Sequence, residues 1–177
     1  MDFFSVFNCR RKNIELLPDP NRKKFGCFTF EYLEEDKCIR AHFGNKEEDG
    51  SPLSYANLAK RLAELHNLFQ YAKDNYPQAK IVRGNSWLYN LEAYRRLFPP
   101  QYTQDLQPVI TSSRFRGFSG WGQFFDKNTK IRPESVKLFK EKLVQAKNMN
   151  EVLDSLPLQT FKVEGRVEDF YNFYGIK

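Results

Sequence analysis

"IVRGNSWLYNLEAYRRLFPP", residues 81–100, decides the fold class. It passes from a short β-branched run through Gly-Asn-Ser into a segment whose apolar residues recur at helical spacing. Trp87, Leu91 and Tyr94 fall at steps of four and three, one stripe of a helix that Pro99 and Pro100 stop. Immediately upstream, "AKIV" reads as a strand, and before it a longer helix is expected from a cap at Ser54 to about Asn75. Leu58, Leu62, Leu65, Phe69 and Ala72 make its stripe, and Pro77 ends it. Helix, strand and helix in succession call for a sheet with helices laid on it.

Further outward, "FGCFTFEYL" from Phe25 and "CIRAHF" from Cys38 alternate with a period of two and are joined by "EEDK", which predicts an antiparallel hairpin. Cys38, Arg40 and His42 share its polar face, and Cys27 and Cys38 are candidates to face each other across it. Residues 1–24 read as an irregular arm broken by Pro18 and Pro20 and anchored by Phe3, Phe4 and Phe7. Toward the C-terminus "PVITSSRF" suggests a strand, and "RGFSGWGQFFD" a bent or bulged one, since three glycines interrupt its aromatics. Pro133 suits the first turn of a third long helix with Val136, Phe139 and Leu143 on its buried stripe. A short helix near "NEVLDSL", a strand "QTFKVEG" and a closing helix "VEDFYNFYG", capped by Gly175 and sealing the domain with Phe170, Phe173 and Tyr174, follow. The expectation is a single α+β (mixed α/β) domain over residues 1–177, with a mixed sheet and helices packed on its faces.

Composition bounds the function. With 17 Phe and 9 Tyr in 177 residues the core is expected to be built from rings, each hiding about 150–250 Å² when buried. No apolar run approaches the ~20 residues of a membrane span, so no membrane partner is expected. Cys9, Cys27 and Cys38 lack CxxC spacing, which points to reduced thiols and a cytoplasmic protein. Two distant histidines and no paired cysteines argue against a metal site. The net charge of +6 admits anionic partners, but basic residues are spread along the chain among 22 acids, so nucleic acid is not favoured.

The junction itself is the first candidate site. Asn85 or Ser86 caps the expected helix, and the remaining free amides, with Arg83 beside Gly84, favour a small anion just outside it. Arg40 and His42 on the neighbouring strand join the set. "GNSWL" resembles a nucleophile elbow only in part, with Leu88 in place of the second small residue, so no catalytic residue is assigned. The stretch "RFRGFSGWGQF" has two readings. Phe118 and Trp121 with Arg114 and Arg116 form an interaction surface for a protein or nucleic-acid partner, or the segment closes over an aromatic core, which is the simpler reading.

"IRAHF", a polar loop, "PLS", a helix and then "YPQAKIVRGNSWLYNLEAYRRLFPP" resemble the GNAT-like C-terminal domains of bacterial acyltransferases over about residues 38–102. "WGQFFDKNTKIRPE" and "FYNFYGI" are similar to segments of bacterial proteins that share the whole layout. The resemblance implies a GNAT-like sheet and an acyl-CoA-type ligand. The nearest match to the family's pyrophosphate loop is Arg114-x-x-Gly117-x-Ser119, with Ser in place of the last small residue and no helix expected after it. No catalytic residue carries over. A non-enzymatic binding or assembly module is the alternative.

Overall fold

The computed structural model describes residues 22–47, 50–110, 118–126 and 130–177, with the backbone alone at 118 and 119. Six strands form one mixed sheet in the order β1-β2-β3-β4-β6-β5. They are β1 (Arg22–Phe25), β2 (Phe28–Leu33), β3 (Cys38–Phe43), β4 (Ile81–Ser86), β5 (Gln107–Pro108) and β6 (Phe161–Arg166). The helices are α1 (Leu58–Asn75), α2 (Glu92–Arg95), α3 (Phe118–Trp121), α4 (Pro133–Leu143), α5 (Met149–Asp154) and α6 (Val167–Tyr174). The α+β class read from the sequence is the class of the fold.

Every neighbouring pair in the sheet is antiparallel except β3 and β4, which the α1 crossover makes parallel. The sheet has two chemically different faces. Phe28, Phe30 and Tyr32 of β2 point to the inner side, where Phe30 meets Tyr71 of α1 with ring centres 5.4 Å apart. Phe69 of α1 and Phe170 of α6 meet at 4.8 Å, and Tyr102 closes on Phe170 at 4.7 Å. Rings therefore carry the core, as the composition requires. The outer side carries register-matched polar residues. Arg22, Glu31 and Arg40 lie in one row, Lys24, Thr29 and His42 in the next, and Arg83 opposes Glu164 on the far half.

Several local expectations need correction. Residues 22–24 belong to β1, not to an arm, and Gly26 (φ 57°) with Cys27 turns β1 into β2. A Cβ on Gly26 would also collide with the Glu64 carboxylate. The expected helix at 87–98 is broken: Trp87–Asn90 is a 3-10 turn, Leu91 returns to extended backbone, and α2 lasts four residues. The break turns Tyr89 inward, where it is buried beside Tyr94. Residues 118–124 form helical turns rather than a bulged strand, and the strand expected from Pro108 contributes only Gln107–Pro108 within the described residues. The α1 stripe is buried at Leu65, Phe69 and Ala72 and half-buried at Leu58 and Leu62. Its Ser54 makes no side-chain capping bond, and a 3-10 turn at Tyr55–Asn57 precedes α1. α4 does begin at Pro133, yet none of its residues is buried. α6 ends on Gly175 at φ 69° as expected, with Phe170 buried but Phe173 40% exposed. Cys38 lies opposite Leu33 and Cys27 sits in the β1–β2 turn, so these two buried free thiols do not face each other. Phe3, Phe4, Phe7, Cys9, Pro18, Pro20, Arg114, Arg116 and Gly117 lie outside the described residues. Among those residues, no helix is long and apolar enough to cross a membrane.

Candidate functional site

The parallel seam between β3 and β4 closes over two pairs only, Cys38 with Ile81 and Ile39 with Val82. Beyond it, residues 40–43 and 83–86 carry no mutual pairing. Alternation in antiparallel ladders shows which backbone groups face this gap. The Gly44 amide donates to the Cys27 carbonyl, so Thr29/His42 and Glu31/Arg40 are the hydrogen-bonded pairs of that ladder. Ala41 and Phe43 must then turn N–H and C=O toward β4. On the other lip, the Val167 amide donates to the Lys80 carbonyl, which leaves Asn85 directed toward β3. None of these three has a backbone partner across the gap among the described residues. In open parallel α/β sheets, ligands bind outside the carboxyl ends of the strands; here β3 and β4 are the one parallel pair of the sheet among the described residues.

The floor of the gap, on the inner side, is aromatic and full. A Cβ on Gly84 would lie 1.9 Å from the Tyr89 hydroxyl and 2.7 Å from that of Tyr102. Those two hydroxyls sit 3.3 Å apart, and burial pushes both phenols well up. Phe43 meets Tyr94 edge-on at 5.7 Å. The helix N-terminus expected at this junction does not begin at residues 84–86, because Gly84, Asn85 and Ser86 are strand. The Ser86 Oγ does accept from the Leu88 amide at 3.1 Å, but what it caps is a four-residue 3-10 turn. Arg83 is held by Glu164 at 2.9 Å and Asp36 at 2.6 Å, which raise its pKa further. Of the β4 candidates, Asn85 is the exposed one.

The rim on the β3 side keeps its polar groups together. Glu31, 8% exposed, accepts from the Arg22 Nε at 3.1 Å, pairs with the Arg40 Nη1 at 3.2 Å and meets the His42 Nε2 at 2.7 Å. Burial alone would raise the Glu31 carboxyl, but hydrogen bonds from His42 and Arg22 outweigh it and hold it below its usual range. Burial lowers the His42 pKa, and Glu31 offsets this only in part. A carboxylate can only accept, so the neutral ring carries its proton on Nε2. Nδ1 is left with a lone pair and no hydrogen bond among the described residues. The cluster thus offers two guanidinium groups around one carboxylate and a neutral imidazole able to take a proton. The sequence already held Glu31, since a four-residue turn at "EEDK" registers it against Arg40 on the polar face.

Both shifts are depressions, so both contribute stability above the unfolded pKa values and lose it as pH falls through the folded ones. Unfolding free energy should fall from about pH 6.5, where an unfolded histidine begins to protonate, to below about pH 4.3 for the carboxyl. Solvent reduces the size of the loss, since the His42 side chain is 36% exposed although Glu31 is buried. Urea titrations from pH 7 to 3 check this, with Glu31→Gln expected to flatten the acidic limb.

A second polar cluster lies under the β1–β2 turn. The Cys27 thiol and the Glu47 and Glu64 carboxylates come within 4.8 Å of one another, a spacing suited to a metal. The Arg61 guanidinium takes that place. It donates to the Cys27 Sγ and, through Nη2, to Glu47 and Glu64 at 2.7 Å each. Burial raises the Cys27 pKa, so the thiol stays protonated. This is a structural knot with its own cation.

Of the expected interaction surface, Trp121 is half-buried against Phe124 at 5.6 Å and Phe139 at 5.9 Å. The Phe118 side chain falls outside the description, while α3 itself runs beside β4. The protein-family models, the curated proteins and the solved structures offer no match to the chain.

Proposed function

We propose that the β3–β4 gap binds a small anionic ligand of the acyl-CoA type, an extended amide-bearing chain that ends in phosphate groups. One observation carries this reading: Ala41 and Phe43 turn backbone groups toward the gap that have no backbone partner across it among the described residues, beside Arg40 and His42 of β3. An extended amide chain laid along β3 would pair with those groups as an added strand does. The guanidinium groups would take phosphate oxygens in charge-assisted hydrogen bonds. If the bound ligand is a thioester, the His42 Nδ1 is suited to accept the proton of an amine attacking the carbonyl carbon; the C–S bond then breaks and the proton passes to the departing CoA thiolate. The GNAT-like resemblance of residues 38–102 supports the same ligand class. A reducing cytoplasmic setting suits the buried free thiols of Cys27 and Cys38.

Thermal unfolding with CoA and acetyl-CoA at about 1 mM tests the reading. A ligand at 100 times its Kd adds about 2.7 kcal/mol, a rise of about 5–10 °C in a domain of this size. Arg40→Ala should remove most of the rise while leaving the ligand-free Tm nearly unchanged. No shift with either compound would overturn the reading.

A further inference from the structure

We propose that the corner between α4 and α5 is a contact surface for an anionic lipid bilayer. Of the eight large hydrophobic side chains exposed among the described residues, five lie between 131 and 149. Three crowd the corner itself: Leu143 at 38%, Val144 at 82% and Met149 at 65% exposure. The same stretch is predominantly cationic. Residues 130–149 contain six cations against two acids, net +4 of the chain's +6. At the corner, Lys140, Lys142 and Lys147 have no ion-pair partner among the described residues. The nearby Glu151 carboxylate is engaged at the head of α5, bound by the Lys147 amide at 2.6 Å and the Asn148 side chain at 2.8 Å.

The form of the surface favours lipid over other anionic partners. The apolar tips stand at a turn between two helices: Leu143 closes α4, Val144 follows it and Met149 opens α5. A fluid interface needs no matching shape; it admits protruding apolar tips at the acyl boundary while lysines around them meet headgroups. Nucleic acid would use the lysines but gain nothing from exposed Leu143, Val144 and Met149. The expectation of no membrane partner rested on the missing span, and a peripheral contact needs none.

Flotation of the full chain with neutral phosphatidylcholine vesicles, and with vesicles containing about 30 mol% phosphatidylserine, tests the proposal. The chain should float with the anionic vesicles only. Each lysine near a charged leaflet strengthens binding about fivefold. Lys140→Glu, Lys142→Glu and Lys147→Glu together should therefore weaken binding by about 100-fold or more. Val144→Asp with Met149→Asp should weaken it at least tenfold, although the lysines remain. Both sets lie on exposed positions, and circular dichroism checks that the fold is kept. No flotation, equal flotation with neutral vesicles, or indifference to both sets overturns the proposal. So does salt-sensitive binding to an oligonucleotide that survives the two aspartates while vesicles are ignored.

Discussion

Replacing Arg61 by methionine should cost about 3–5 kcal/mol, the usual result of removing one member of a buried charged cluster. Arg61 is 1% exposed and is the group on which three distant segments converge. It draws together the Gly26–Cys27 turn, Glu47 of the loop after β3, and Glu64 one turn further along its own helix. Glu64 also accepts from the Cys27 amide at 3.0 Å, so without the guanidinium a carboxylate stays pinned against the turn with no countercharge. Lysine should recover only part of the loss, because a point charge on a flexible stem cannot satisfy a forked set of acceptors. Adding Glu64→Gln to the methionine variant should recover more than additivity predicts, since the two side chains share one network. Urea denaturation of the three single variants, Arg61→Met, Arg61→Lys and Glu64→Gln, and of the double variant checks all three statements. A loss under about 1 kcal/mol in Arg61→Met would mean that the acceptors simply rehydrate.

Phe170→Ala should be nearly as damaging, at about 3–5 kcal/mol. The side chain is fully buried and joins α6 to both Phe69 of α1 and Tyr102, so the cavity opens where helix, sheet and loop meet. Such a loss is a large share of the roughly 5–15 kcal/mol that holds a domain together. It should lower Tm by about 6–20 °C at this chain length. Phe173, three residues on in the same helix, supplies the control. It is 40% exposed, and its truncation to alanine should stay under about 1 kcal/mol. Differential scanning of the two variants separates burial from helix propensity, because both lose a phenylalanine from α6. Equal effects would mean that α6 is held by its register on β6 rather than by its rings.

Elements whose pattern depends on local physics were legible in the sequence. The β2–β3 hairpin follows from alternation, α1 ends where Pro77 forces it to, and Pro133 and Gly175 mark the helix ends that their backbone preferences demand. The segment after Ser86 was misread for a reason outside its own letters. Trp87, Leu91 and Tyr94 do keep helical spacing, but the inner side of Gly84 is open only to something that reaches it from residues 89 and 102. Placing the Tyr89 hydroxyl there needs a 3-10 turn and an extended Leu91. α4 was overrated for the opposite reason, as an amphipathic stripe says that a face is apolar and not that a partner covers it. At the candidate site, Arg40 and His42 were found because alternation put them on a polar face. Glu31 joins them only once the length of the "EEDK" turn is turned into a strand register, which alternation within one strand does not supply. The gap itself was invisible, since nothing in "CIRAHF" or "IVRGNS" says after how many pairs two parallel strands part company.

That short parallel join also orders assembly of the chain. Strands β1 to β3 are contiguous in sequence and meet through turns of two and four residues, so little loop entropy opposes them. β4 must find β6 across the 74 residues between Ser86 and Phe161, the kind of long closure that slows a folding chain. An early meander and a late three-strand half then dock along a line of two residue pairs. The gap between β3 and β4 is thus expected to be the last part of the sheet to form.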